Sequence, residues 1–250
     1  MDDIVIDAHA HCGLTVPFQG LCAEWDMGEI QGGVLFSPVE EIYDRDDPRF
    51  TDSIDYQKSR RRVHKYLLDL ATRAHIYPFF FVWNDFASIP EGFVGVKWHR
   101  HPHEPVYRYD SPECAALLDE IYERQLPVVL EEEFSNTLAF LMRVAERTTV
   151  IIPHMGGLSG GYGRLKSIGV FSSKKVWVDT ALGGVSEIRD FAETYGTERI
   201  LFGSDYPFGS PPLEKEKILH LFTGNDREAI FSGNLQRLLG VTAETREATP

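Results

Sequence analysis

Two histidines separated by one residue, His9 and His11, stand near the start of this chain. In an extended segment, residues two apart share a face. Their imidazoles therefore point the same way, about 6–7 Å apart along the strand, and can converge on one divalent ion. Further on come Glu131-Glu132-Glu133, directly after Val128-Val129-Leu130, then His154 before Met155-Gly156-Gly157, and Asp205 in Gly203-Ser204-Asp205-Tyr206-Pro207. Carboxylates that close an apolar run are costly to bury without a cation, and a nearby metal would keep Glu131 ionised. His9, His11, Glu131, His154 and Asp205 make an N/O donor set that suits Zn2+ first, with Mn2+, Fe2+ or Ni2+ as alternatives. A divalent ion there would lower the pKa of a bound water from 15.7 towards about 7. Asp205 would accept that water's proton and pass it to a leaving group, while His154 would help the ion polarise the scissile oxygen. Taken singly each residue has a plainer reading, a structural histidine or a helix cap for Asp205; their joint occurrence carries the argument.

A second group surrounds the first. Lys97-Trp98-His99-Arg100-His101-Pro102-His103 is cationic within a chain of net charge −13, and Lys97 and His99 share a face by alternation. Three readings stand for Lys97. It docks an anionic substrate group together with His99, it is carbamylated as a bridging ligand, or it pairs with Glu131 beside a solvated His-rich loop. Arg164, in Gly160-Gly161-Tyr162-Gly163-Arg164, is a further candidate clamp for the same anion. The acidic balance argues against a nucleic-acid partner, so a small molecule, anionic in the first reading of Lys97, is the expected partner. A homodimer is a further expectation. The basic run Lys58-Ser59-Arg60-Arg61-Arg62 reads as a solvated helix face. Three cysteines without a CxxC speak against a disulfide framework or a thiolate zinc site, and Cys12 reads as a small buried residue.

The elements that must position these groups alternate along the chain. Strand candidates are Ile4–Ala8, Gly33–Ser37, Ile76–Val82, Phe93–Trp98, Pro127–Glu131, Val150–His154, Val176–Thr180 and Ile200–Asp205. Most are continuous apolar runs, as expected of strands covered on both faces. Helical periodicity falls at Asp55–Ala74, with Val63, Tyr66, Leu67 and Leu70 as its apolar stripe, and at Pro112–Arg124, Thr137–Glu146 and Val185–Tyr195. Strands alternating with helices over 250 residues predict one α/β domain, a (β/α)8 TIM barrel with a core of about 4–240 and a polar, frayed tail, Val241–Pro250. An open doubly wound sheet is the alternative, and the lack of GxGxxG after the first strand gives no support for dinucleotide binding. In a barrel the active site lies at the C-terminal strand ends. Strands one, five, six and eight end on the His, Glu, His and Asp above. No apolar run is long enough to span a membrane, and the acidic start lacks the basic region of a signal peptide, so the expected location is cytoplasmic.

Four segments also carry a family likeness. Asp7–His11 resembles the HxH signature of the amidohydrolase superfamily. Gly95-Val96-Lys97-Trp98-His99, Ile152–Gly157 and Ile200–Phe208 are similar to the fourth-, sixth- and eighth-strand elements of its "amidohydrolase 2" branch. The resemblance spans about Ile4 to Gly240. It implies a mono- or binuclear metal centre with His9, His11 and Asp205 as ligands, and His154 as a ligand or as the residue that orients the attacking water. It departs at the fifth strand, where Glu131 stands in place of the usual ligand histidine, which leaves metal count and identity open. The implied activity is metal-dependent hydrolysis of a small amide, ester or lactone. Alternatives are metal-dependent decarboxylation of a small carboxylic acid and an inactive metal- or ligand-binding barrel.

Overall fold

The apolar runs fold into eight strands, β1 (Ile6–His11), β2 (Gly32–Phe36), β3 (Ile76–Phe81), β4 (Gly95–His99), β5 (Val128–Glu131), β6 (Val150–Ile152), β7 (Val176–Asp179) and β8 (Ile200–Leu201). The computed structural model describes residues 4–241. The predicted tail beyond Val241, and Met1 to Asp3, lie outside the described residues. Each strand pairs in parallel with the next in chain order. The chain after β8 returns to β1, where Ala8 N donates to Phe202 O at 2.7 Å, Asp205 N to His9 O at 2.7 Å, and His11 N to Tyr206 O at 2.8 Å. These bonds close the sheet into the predicted barrel.

Helices cover it: α1 (Phe18–Met27), α2 (Ile54–Leu70), α3 (Pro112–Glu123), α4 (Phe134–Val144), α5 (Tyr162–Ser167), α6 (Val185–Tyr195), α7 (Pro211–Leu221), α8 (Gly224–Glu228) and α9 (Asn234–Leu239). α2 starts where Ser53 Oγ accepts from Tyr56 N at 3.2 Å, an N-cap. It buries Val63, Leu67 and Leu70, three of the four predicted stripe residues. Among the described residues no helix joins β3 to β4. That connection holds Pro90 and Gly92, poor helix formers, and instead buries Trp83, Phe86, Ile89 and Phe93. The basic run corrects one expectation. Lys58, Arg61 and Arg62 are exposed, but Arg60 is buried, with Nη1 and Nη2 on Asp52 at 2.8 and 2.6 Å and Nη1 on Ile42 O at 2.9 Å.

Inside the barrel Ile6, Val34, Phe36, Phe79, Val129 and Ile151 pack together. A larger apolar layer, including the buried Cys12, lies between strands and helices. Cys12, Cys22 and Cys114 are all free. Among the described residues no helix is long and apolar enough to cross a membrane.

Candidate metal centre

Three local backbone features aim the donors. The first is a register shift between Asp7 and Ala10 in β1, a bulge of the kind that re-aims a side chain. Asp7 consequently turns outward, accepting from Trp25 Nε1 at 3.1 Å and from Ser204 Oγ at 2.5 Å, while His9 and His11 turn in. Burial pushes the Asp7 carboxyl up to about 7. The second is the end of β6, which stops before Pro153. There His154 and Met155 adopt φ of 56° and 52°, held by His154 N donating to Asp179 Oδ1 at 2.9 Å. The third is Asp205, at φ 58°, in the segment that follows β8, which itself ends at Leu201, before the predicted Asp205. Left-handed conformations in non-glycine residues cost of order 1–3 kcal/mol and persist where the surroundings dictate them, often at functional sites.

The side chains that result converge. His9 Nε2 and His11 Nε2 each lie 3.3 Å from Asp205 Oδ1. Donors bound tetrahedrally at about 2.0–2.1 Å stand roughly 3.3–3.4 Å apart, so this set fits a divalent ion. The far side of each ring is anchored. His9 Nδ1 is 2.8 Å from Asp179 Oδ2, His11 Nδ1 is 3.0 Å from Ser37 O, and His154 Nδ1 is 3.0 Å from Ala181 O. Such outer partners fix the tautomer and orientation of metal-binding imidazoles. Burial, then the charge of Lys97, hold His9 well below its usual pKa, so it is neutral, as a ligand must be. Burial would raise Asp205, but the His11 hydrogen bond and the neighbouring imidazoles outweigh it and hold the carboxyl low. His154 differs. Burial alone would lower it, yet its hydrogen bond to Glu131 and that residue's charge raise it to about 9. Its Nε2 sits 3.5 Å from Glu131 Oε2 and 4.0 Å from Asp205 Oδ2.

Of the three sequence readings for Lys97, the geometry is that of the Glu131 pair. Lys97 Nζ lies 2.6 Å from Glu131 Oε2 and 3.2 Å from His9 Nε2, fully buried. A carbamate there would set two anions against each other. Glu131 Oε1 meets His101 Nε2 at 2.7 Å and His99 Nε2 at 3.2 Å. Burial would raise Glu131, but Lys97 and His99 hold it well below its ordinary value. Besides His9, His11 and Asp205, two further groups of potential donors are present among the described residues, His9 with His154 and Asp179, and His99 with His101 and Glu131. The loop is not solvated at His99, which is buried. Behind it Tyr43 donates to Glu104 Oε2 at 2.6 Å and Arg45 Nη2 meets Glu104 Oε1 at 2.6 Å.

A cavity of about 200 Å3 opens above these groups, with Arg45, His99 and His101 on its wall, Asp205 and Glu131 at its base, and Leu158, Leu182 and Phe208 at its apolar rim. A larger cavity of about 340 Å3, between α2 and the β3–β4 connection, shares none of these residues. Arg164 is a correction: it sits on α5 with its guanidinium 3.4 Å from the centre of the Phe134 ring, and it is not among the residues lining the smaller cavity. The sequence reading missed Asp179, Arg45 and Glu104 as parts of this cluster, and named His101 only within the cationic run. Asp179 was signalled, since it ends β7 as the other donors end their strands. Arg45 and Glu104 lie in irregular segments, where no periodicity places them.

A family model described as Amidohydrolase matches residues 88–241. None of the curated proteins compared matches the chain in sequence. Among solved structures, a protein proposed to be a 2-pyrone-4,6-dicarboxylic acid hydrolase from Pseudomonas putida is 17% identical over 96% of this chain and 98% of its own, with a TM-score of 0.71. The 5-carboxyvanillate decarboxylase of Sphingomonas paucimobilis is 12% identical over 96% of this chain and 100% of its own, at 0.72. A dihydroxybenzoic acid decarboxylase from Polaromonas sp. JS666, solved with manganese and 2-nitroresorcinol, is 16% identical over 95% and 96%, at 0.67. At these identities the likeness is one of fold.

Proposed function

The chain belongs to the amidohydrolase family whose model it matches, and on that premise we propose that it is a metal-dependent hydrolase of a small carboxylate-bearing amide, ester or lactone. The observation that carries this reading is the convergence of His9 Nε2, His11 Nε2 and Asp205 Oδ1 at 3.3 Å spacing at the barrel's C-terminal mouth. These three residues would hold the ion, Zn2+ first, with Mn2+, Fe2+ or Ni2+ as alternatives. When bound, it supplies Lewis-acid polarisation and a lowered pKa for water. Asp205, held ionised, accepts a proton from the attacking water and returns it to the leaving group. His154, held charged up to about pH 9, is the hydrogen-bond donor to the developing oxyanion and acts from beside the ligands. Arg45, His99 and His101 dock the substrate carboxylate, while Phe208 and Leu182 cover its apolar part.

A charged His154 4.0 Å from Asp205 also favours a second reading, decarboxylation, in which it supplies the proton that replaces CO2 on the substrate carbon. Product analysis on panels of lactones, esters, amides and aryl carboxylates separates the two: CO2 release without water incorporation selects the lyase. Under either reading Asp205→Asn lowers turnover by about 10²–10⁴-fold with the circular dichroism spectrum retained. Wild-type rates in that variant would remove Asp205 from the chemistry. Absence of any divalent ion after reconstitution would favour the inactive barrel.

A further inference from the structure

His9 presents one lone pair to the centre, and two cations have claims on it. Its Nδ1 faces Asp179 Oδ2 at 2.8 Å. An ionised carboxylate only accepts, so the ring proton sits on Nδ1 and the lone pair on Nε2. Lys97 Nζ, which has donors but no acceptor, lies 3.2 Å from that Nε2 and 4.9 Å from the centre of the Phe36 ring. A divalent ion held by His9, His11 and Asp205 needs the same lone pair.

Glu131 keeps the ammonium there, 2.6 Å away in a wholly buried position. A histidine at 131 would deprive the buried Lys97 of its ion-paired carboxylate, and removing one partner of a buried pair is strongly destabilising. Glu131 in place of the expected histidine and Lys97 at the centre are therefore one feature. The alternative, that Glu131 is itself an ion ligand, would have its oxygens share the ion with the donors they already hold, Lys97 on Oε2 at 2.6 Å and His101 on Oε1 at 2.7 Å, and the test below separates the two.

We propose that Lys97 is a resident cation that competes with the divalent ion for His9 Nε2, with Glu131 as its counter-ion, so that ion binding requires the ammonium to withdraw from His9. The proposal rests on the reading that His9, His11 and Asp205 hold an ion. It sets this centre's affinity below that of the same three ligands without the lysine.

The test is the affinity of the purified, metal-stripped full chain for Zn2+ alone, read by competition with a chromophoric chelator. Lys97→Met leaves Glu131 buried without its ammonium and can fail to fold, so the decisive variant is Lys97→Met with Glu131→Gln. Its folding is checked by circular dichroism. The expected result is Zn2+ binding about tenfold tighter than wild type, the loss of one charge-assisted competing hydrogen bond. Equal affinity would overturn the proposal, as would weaker binding, which makes Glu131 a ligand; the ion site itself survives both. If neither protein binds Zn2+, and His11→Ala changes nothing, the metal reading has failed and this proposal with it.

Discussion

His64 is the clearest case of a single side chain whose protonation is tied to folding. It is buried on α2, its ring 4.4 Å from that of Phe80, and its Nε2 has no hydrogen-bond partner. Burial, then the charge of Arg60, lower its pKa to about 3. As pH falls below 6.5 the unfolded chain takes up the proton first, whereas the folded chain refuses it until about 3. The stability involved is therefore present above 6.5 and lost as pH falls from 6.5 towards 3. Between pH 7 and pH 5 this amounts to about 2 kcal/mol. Urea unfolding of wild type and His64→Phe at both pH values should show the variant losing that much less; equal losses would place the imidazole in water. The same residue marks what the sequence hides. His64 lies three residues before Leu67, at the edge of the apolar stripe and among charges, where helical spacing leaves burial and exposure both open. His9, His11 and Asp205 were legible because they end apolar runs, where a polar residue needs a reason. Lys97 was legible as three alternatives, which only the Glu131 distance separates.

At the scale of elements, β4 shows how the barrel wall makes room for its chemistry. Gly95, Lys97 and His99 alternate onto one face, and a Cβ on Gly95 would run into the ring of Phe79 from β3. Gly95→Ala should thus cost about 1–3 kcal/mol by overpacking, and Phe79→Leu in the same chain should recover part of it. A urea midpoint unchanged by Gly95→Ala would contradict the close packing. The strands were legible because continuous apolar runs have few alternatives in an α/β chain, and α6 matches its predicted bounds, Val185–Tyr195. Ends were less legible. α4 begins at Phe134, three residues before the predicted Thr137, because the turn after Glu131 leads straight into the helix. The candidate Ile4–Ala8, with His9 and His11 at its exit, is shifted: β1 runs from Ile6 to His11 and takes both histidines into the strand. Its bulge, which decides that Asp7 faces out and His9 in, leaves no trace in residue types.

For the whole molecule, the centre joins parts of the chain that are far apart in sequence. Asp205 reaches both His9 and His11 at the seam where β8 meets β1, which these residues close with backbone bonds from Ala8, His11 and Asp205. A divalent ion bound there would tie the first strand to the last, and it would bind only the folded chain, because the unfolded chain does not hold the three donors together. Its binding free energy then adds to stability as the logarithm of free ion over dissociation constant. At a hundredfold excess over that constant the gain is about 2.7 kcal/mol, roughly 5–10 °C in melting temperature for a domain of this size. Thermal unfolding in Zn2+ against unfolding in chelator should show this rise for wild type, and His11→Ala should abolish the rise, its own chelator curve serving as the reference because the variant also loses the bond to Ser37 O. An undiminished rise in His11→Ala would locate the ion elsewhere, and identical wild-type curves would mean that the seam is held by backbone bonds and packing alone.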